Sequence, residues 1–330
     1  MVQVITDNTI LNLCEAGLET VIRDPVLREM MAQSNKVSLA EQQVEHGYSH
    51  ALDVFALTKQ IIEQMEAVSP GLFSRFFILT ALLAALLHDV GRIKGSKDHD
   101  KNGAVIARRY LETILVDGKP LPRVFINRVV FIVRNHRAES WLNTTRKREF
   151  DGPDVVAVIL SDKLCGTEAR VPEELLNAMK LVAGIFVPVW FRKLFNVDED
   201  WSLARIPWNR PDLITPENEF LTEAAEKLLA EHGVRILPDI KVDFHDMVNG
   251  SIYQRSISIS DGILRYAIKV DLRLASRELV TGLDWWHDAL HLSSIAAAYL
   301  GLRFQLEFNG QLLGYDKAAQ DWLPVEPISA

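Results

Sequence analysis

Cysteine is nearly absent from this chain: its 330 residues hold two, Cys14 and Cys165. Two thiols so far apart build no disulfide framework, so a hydrophobic core has to hold the fold. Basic charge is not in excess either, since 36 Lys and Arg face 44 Asp and Glu for a net charge of -8. Such a balance offers no electrostatic footprint for a nucleic-acid polymer, although a local basic cluster can still hold a small anion. The longest apolar stretch falls short of the ~20 residues a membrane-spanning helix needs. The first residues, MVQVITDNTI, lack the basic start and apolar centre of a secretion signal. The expectation is a cytoplasmic protein with no membrane partner. Internal repeats and low-complexity tracts are missing as well.

Apolar material, by contrast, is plentiful, and 48% hydrophobic residues over this length is enough for two cores. The longest apolar run, FFILTALLAALL from Phe76 to Leu87, ends at His88-Asp89 and continues into Val90-Gly91-Arg92. A helix apolar all round is buried all round, and an imidazole and a carboxylate at its end are costly there unless something compensates them. A metal ion is the usual compensation. The dipeptide alone means little, because it recurs at His245-Asp246 and His287-Asp288.

It acquires meaning from its company. Between Gly47 and Met65, His50 continues a stripe of Val54, Leu57, Ile61 and Met65 at helical spacing, so it should face inward. From Leu121 to Arg137 the stripe Phe125, Val129, Ile132, Val133 ends in His136, and from Pro153 to Arg170 the stripe Val155, Val158, Ile159 ends in Asp162. His99 opens a further helix, His99 to Leu115, after the loop that follows His88-Asp89. The set reads His50, His88-Asp89, His99, His136, Asp162. Imidazole with carboxylate, and no cysteine in the set, suits a divalent iron, manganese, zinc or nickel ion better than a thiolate zinc site. Six ligands exceed what one catalytic ion with an open position uses, so two ions are expected, with Asp89 as the bridge. His46 and Asp53 flank His50 and are candidates for orienting ligands.

The order His, His-Asp, His, His, Asp resembles the HD-domain superfamily of metal-dependent phosphohydrolases. The resemblance rests on HGYSHALDV (His46 to Val54), LLHDVGR (Leu86 to Arg92), HDKNGAVIA (His99 to Ala107) and ILSDKL (Ile159 to Leu164), and it covers about residues 40 to 185. It implies a core quartet of His50, His88, Asp89 and Asp162, with His99 and His136 completing a second metal. Many relatives carry Lys where this chain has Arg92, which keeps the charge but turns a point into a fork.

The fold expected is mainly α: an N-terminal all-α helical bundle over residues 1–195, a linker at 196–216 and a smaller α+β domain over 217–330. The linker is inferred from Trp201, Pro207, Trp208, Pro211 and Pro216, which break any period. The aromatic stretch Gly184 to Phe195 is expected to be a packing helix. Beyond the linker come a helix at Glu217 to Gly233, strands at Ile240 to Val248, Ser256 to Ser260 and Leu264 to Asp271, a long helix at Ala275 to Leu300, and a hairpin turning at Asn309-Gly310. His287 and His291 lie four apart, but the intervening residues lack the Glu of a zinc protease, so they are expected to be packed histidines. This portion is expected to serve binding, regulation or homodimer formation.

A binuclear site of this composition suits hydrolysis of a phosphate ester, a nucleotide or a related small phosphorylated molecule, by metal-activated water. Asp89 and Arg92 would then be catalytic, with Arg92 and Lys163 as cations for the phosphate. Two other readings stay open: the ligand order is also similar to that of HD-type di-iron oxygenases, and the chain could be a non-catalytic ligand sensor.

Overall fold

The computed structural model describes residues 5–41, 43–137, 152–208, 216–235, 241–242, 244–282, 284–316 and 321–325. Thirteen α-helices among them, with one five-stranded sheet towards the C-terminus, make the chain mainly α with a small α+β portion. It divides into two compact units.

The first unit comprises Met1–Cys165, Ile257–Tyr266 and Ala289–Gln305. Its helices are α1 (Asn8–Arg23), α2 (Pro25–Ala40), α3 (Tyr48–Val68), α4 (Arg75–Leu87), α5 (His99–Leu111), α6 (Arg123–Asn135) and α7 (Pro153–Leu164). Helix α4 is the axis. Ten of its thirteen residues are buried, and α1, α3, α6 and α7 pack around it, which is why its sequence shows no polar face. Ser74 caps its start by accepting Phe77 N–H at 3.2 Å. With the 3₁₀ turn Val90–Lys94 it forms a stretch long and apolar enough to cross a membrane, yet 78% of that stretch is buried inside the protein, as befits a core helix. Asp24 likewise caps α2, with Pro25 in its first turn. Strands β1 (Leu115–Val116) and β2 (Lys119–Pro120) pair around Asp117 and Gly118, both at positive φ.

A second buried interaction locks this bundle. The Arg128 guanidinium of α6 donates to both carboxylate oxygens of Asp154 on α7, at 2.8 and 2.5 Å, and Thr80 of α4 lies 2.9 Å from the same carboxylate. Phe77 and Phe131 flank the guanidinium at 5.5 and 5.1 Å. Each charge therefore has its partner inside the core, the condition under which burial is tolerable.

The second unit comprises Gly166–Ser256, Ala267–Asp288 and Leu306–Ala330. Its helices are α8 (Glu173–Ala183), α9 (Val189–Phe195), α10 (Pro216–Glu231), α11 (Phe244–Ser251) and α12 (Arg277–Gly282); α13 (Asp284–Tyr299) has its later part in the first unit. The sheet runs β3 (Ile252–Ser260), β4 (Ile263–Val270), β5 (Arg303–Phe308), β6 (Gln311–Asp316), β7 (Asp321–Pro324) in that order. Strands β5, β6 and β7 are antiparallel neighbours, with Phe308 opposite Gln311 and Asp316 opposite Asp321. The turns Asp261-Gly262 and Asn309-Gly310 both have two positive φ values, the type I′ geometry expected of such pairs.

Several boundaries differ from the sequence expectation. The stretch 196–216 does not read as a free linker: Leu203, Ala204, Ile206 and Trp208 are buried in one cluster with Phe191, Ala225, Leu228 and Leu229. Residues 209–215 lie outside the described ones. A cut at 195 would also strip the first unit of its returning segments, since Gln60 and Gln64 of α3 donate to Ile257 C=O at 3.2 and 3.0 Å and Gln64 accepts Ile259 N–H at 2.7 Å. The strand expected at Ile240 to Val248 is helix α11 from Phe244 onward, because Met247, Val248 and Ser251 share a helical face and are buried; Ile240 is outside the described residues. The long helix expected over Ala275 to Leu300 is two helices, α12 and α13.

Asp154→Ala should destabilise the protein by roughly 3 to 5 kcal/mol, because Arg128 keeps its charge in the core without a partner. Urea unfolding measures this, and Arg128→Met combined with Asp154→Leu should restore much of the loss; a single variant as stable as the parent would show the pair to be dispensable.

Candidate metal centre

Helix ends place the site. His88 closes α4 and His136 closes α6, where the last carbonyls of a helix have no intrahelical donor. Each ring uses one of them: His88 Nδ1 lies 2.8 Å from Ala85 C=O, and His136 Nδ1 lies 2.7 Å from Val133 C=O. His99, at the start of α5, does the same with Ser96 C=O at 2.8 Å. A carbonyl can only accept, so Nδ1 carries the proton and Nε2 is left as a lone pair aimed into the site.

Those Nε2 atoms converge on one carboxylate. Asp89 follows His88 and is 2% exposed. Its Oδ2 lies 3.4 Å from His88 Nε2 and 3.6 Å from His50 Nε2, and its Oδ1 lies 3.3 Å from His99 Nε2 and 3.8 Å from His136 Nε2. Asp162, at the end of α7, brings Oδ1 to 3.7 Å from His50 Nε2 and 3.6 Å from His88 Nε2. All six residues singled out in the sequence therefore meet: His50 and His88 group with one side of Asp89, His99 and His136 with the other, and Asp162 groups with His50 and Cys165.

The donor set fits divalent cations. His99 Nε2 and His136 Nε2 are 3.2 Å apart, and so are His50 Nε2 and His88 Nε2. Two lone pairs held that close repel unless a proton or cation lies between them. The spacing suits two nitrogens each about 2.1 Å from a shared ion. Charge balance points the same way. Burial works against a charge on His88, but the Asp89 and Asp162 carboxylates outweigh it and hold its pKa up at about 10. Burial, together with His99 and His88, pushes His136 down to about 3, and burial lowers His99 too. Against the cost of burial, Arg92 and His88 keep Asp89 well below the usual carboxylate range; Lys163 and His88 do so for Asp162. The two carboxylates thus keep on His88 a proton that a metal ion would replace.

Close packing of backbone makes the site possible at Gly91, where an added Cβ would sit 1.9 Å from His99 C=O and 2.4 Å from Gly103 N. Only glycine lets the turn after Asp89 approach α5 this closely. Arg92, in that turn, sets Nε 2.9 Å from Asp89 Oδ1 as a charge contact without hydrogen-bond alignment, and its Nη1 donates to Gln43 at 2.6 Å. Lys163 Nζ is 3.1 Å from Asp162 Oδ2. His46 comes within 3.9 Å of Asp89 Oδ2, with Nδ1 2.6 Å from Val44 C=O; Asp53 is half-buried on α3. The side chain of His287 lies outside the described residues, and His291 is half-buried on α13.

Two neighbours escaped the sequence reading. Gln43 lies in the connection before α3 and carries no periodic signal. Cys165, set aside with the other thiol, is buried 3.6 Å from His50 Nδ1; its position three residues after Asp162 was the available hint.

Residues 47–169 match the family model of the HD domain, a narrower span than the 40 to 185 covered by the motifs. That span of the chain is similar to HD domains, and all six site residues fall within it. No curated protein matches the chain.

For the metal-free protein the signs of these shifts define a window. His88, raised above its ordinary 6.5, contributes stability that is complete below pH 6.5 and lost as pH rises through about 10. His136, depressed to about 3, contributes stability that is complete above 6.5 and lost as pH falls towards 3. The site's contribution should peak near pH 6.5, and zinc should flatten the alkaline limb by replacing the His88 proton. Thermal melts from pH 5 to 10 with and without zinc check this; identical profiles would remove the metal from the argument.

Proposed function

From its similarity to HD domains over residues 47–169, we propose that this chain is a metal-dependent phosphohydrolase that cleaves a small phosphate ester, a nucleotide or a related phosphorylated molecule, at a binuclear site. One observation carries the binuclear reading: the two oxygens of Asp89 face separate imidazole pairs, His50 with His88 and His99 with His136. His50, His88, Asp89 and Asp162 would hold one ion, and Asp89, His99 and His136 would hold the other. Divalent iron, manganese, zinc or nickel suits these donors, and such ions lower the pKa of water towards ~7 and stabilise phosphoryl oxygens.

The chain's own residues supply the rest. His88, His99 and His136 present Nε2 to the site because Nδ1 of each is bonded to a main-chain carbonyl. Burial of Asp89 and His88 removes competing water, which strengthens every charge interaction at the site. Arg92 keeps Nε on Asp89 while its fork is braced by Gln43, which aims the guanidinium across the carboxylate towards a phosphoryl oxygen. Lys163, 25% exposed beside Asp162, offers a second cation at the rim. The portion from 217 to 330 would serve binding, regulation or dimerisation, and a cytoplasmic setting agrees with two buried thiols in a chain without a disulfide framework.

Purified protein should carry about two transition-metal ions per chain. It should release phosphate from its ester without oxygen and with redox-inert zinc. Arg92→Ala should lower kcat by about 10²- to 10³-fold, the scale of one lost transition-state contact. Turnover that needs both iron and dioxygen would establish the oxygenase reading instead.

A further inference from the structure

We propose that Cys165 is a positioning residue of the metal centre, one that fixes the tautomer of His50 by accepting its Nδ1 proton. The inference rests on the metal-site reading above and adds a residue to it.

His50 differs from its partners in where it sits. His88 and His136 close helices and find unclaimed carbonyls three residues back, and His99 finds Ser96 C=O. His50 is instead in the first turn of α3, where the groups left free by the helix are N–H donors. The carbonyl three residues back, Gly47 C=O, already accepts Ala51 N–H at 3.1 Å. The neighbour found at its Nδ1 comes from another element. Cys165 follows the last residue of α7, and its Sγ lies 3.6 Å from His50 Nδ1. The same thiol donates to Asp162 C=O at 3.0 Å, one of the carbonyls that the end of α7 leaves free.

A directed chain results: His50 Nδ1–H to Sγ, and S–H to the Asp162 carbonyl. With the thiol proton committed to Asp162, only the sulfur lone pairs face the ring, so Nδ1 must carry hydrogen and Nε2 must be the lone pair. That Nε2 is the atom 3.6 Å from Asp89 Oδ2 and 3.7 Å from Asp162 Oδ1. Sγ, His50 and the Asp162 carboxylate lie close enough together to form a ligand group themselves, so a directly ligating thiolate is the alternative that the test separates from the positioning role. Cys165 thus couples two ligands of one position, the ring of His50 and the helix end that carries Asp162. The other three rings rely on main-chain carbonyls for what this one takes from a side chain.

The test compares wild type, Cys165→Ala and Cys165→Ser in zinc titrations against a competing chelator, with metal-free thermal midpoints recorded alongside. Alanine removes the acceptor and should weaken zinc binding by roughly 10- to 100-fold at one of the two positions, the usual effect of losing a group that orients a ligand. Serine, whose hydroxyl donates and accepts in the same sense, should bind zinc more tightly than the alanine variant. In the zinc-loaded wild type, NMR correlation through the ring nitrogens should show hydrogen on Nδ1 of His50, and the alanine variant should lose that fixed assignment. A purely packing role would lower both thermal midpoints and leave zinc affinity unchanged. Wild-type zinc affinity in Cys165→Ala, or serine no better than alanine, overturns this inference alone; a wild type that takes up no zinc overturns the metal reading and this inference with it.

Discussion

A carboxylate at the end of a helix with no polar face has to be neutralised where it stands, and the arrangement around Asp89 follows from that requirement. Its side chain is 2% exposed, so water cannot screen it. Five imidazoles and one guanidinium are drawn around it from the connection before α3, α3 itself, the turn after α4, and the ends of α4, α5 and α6. The six contacts divide between its oxygens, with His46, His50 and His88 on one and His99, His136 and Arg92 on the other. A residue that makes contacts on both oxygens ties the helices together as much as it prepares a site. The apolar run from Phe76 to Leu87 and the ligand cluster are therefore one feature: the run delivers the charge into the core, and the cluster makes its presence there tolerable.

The imidazoles are held by helix termini, and this explains their positions in the chain. A helix ending inside a protein leaves carbonyls that need donors. A histidine at or just past the last residue supplies Nδ1–H and in doing so turns Nε2 away from the helix. His88 and His136 both solve this local problem, so the geometry suited to metals is also the geometry that completes the helix. His50, at a helix start, has beside its Nδ1 the thiol of Cys165, just past the end of a neighbouring helix. The contrast shows why spacing along one helix predicts which residues face inward but not which atom of the ring faces the site.

Much of the site was legible because inward-facing periodicity survives without tertiary information. His50 in register with Val54, Leu57 and Ile61, His136 with Val129 and Val133, and Asp162 with Val158 and Ile159 could be read from spacing alone, and α3, α6 and α7 place them accordingly. What could not be read depends on partners distant in sequence. Arg128 and Asp154 look like ordinary helix-surface charges until α6 and α7 are side by side. Gln43 matters through Arg92, and Cys165 through His50. The segment 196–216 was misleading for a related reason: prolines and tryptophans do break periodicity, but Trp208 and Ile206 are buried in irregular backbone, which leaves no repeat to detect. Residues 244–251 share the short-run ambiguity of any apolar segment whose length suits both a strand and two helical turns.

The first unit contains two buried charge systems, and their difference bears on where chemistry occurs. Arg128 and Asp154 form a closed pair: both carboxylate oxygens and two guanidinium nitrogens are engaged, Thr80 joins them, and aromatic rings cover the cation. Nothing there is left to bind. Asp89 and Asp162 form an open system, in which the counter-charge comes partly from His88 holding a proton well above its ordinary range and partly from Arg92 and Lys163 at the edge. Exchange of that proton for divalent ions would carry the charge past balance, from two carboxylates matched by nearby cations to a site with positive charge in excess. An excess of that sign, enclosed by apolar helices and edged by a guanidinium fork, suits a multiply charged anion such as a phosphate ester. A closed pair holds the helices whatever the site contains, whereas the open system's contribution to stability changes with what neutralises its carboxylates.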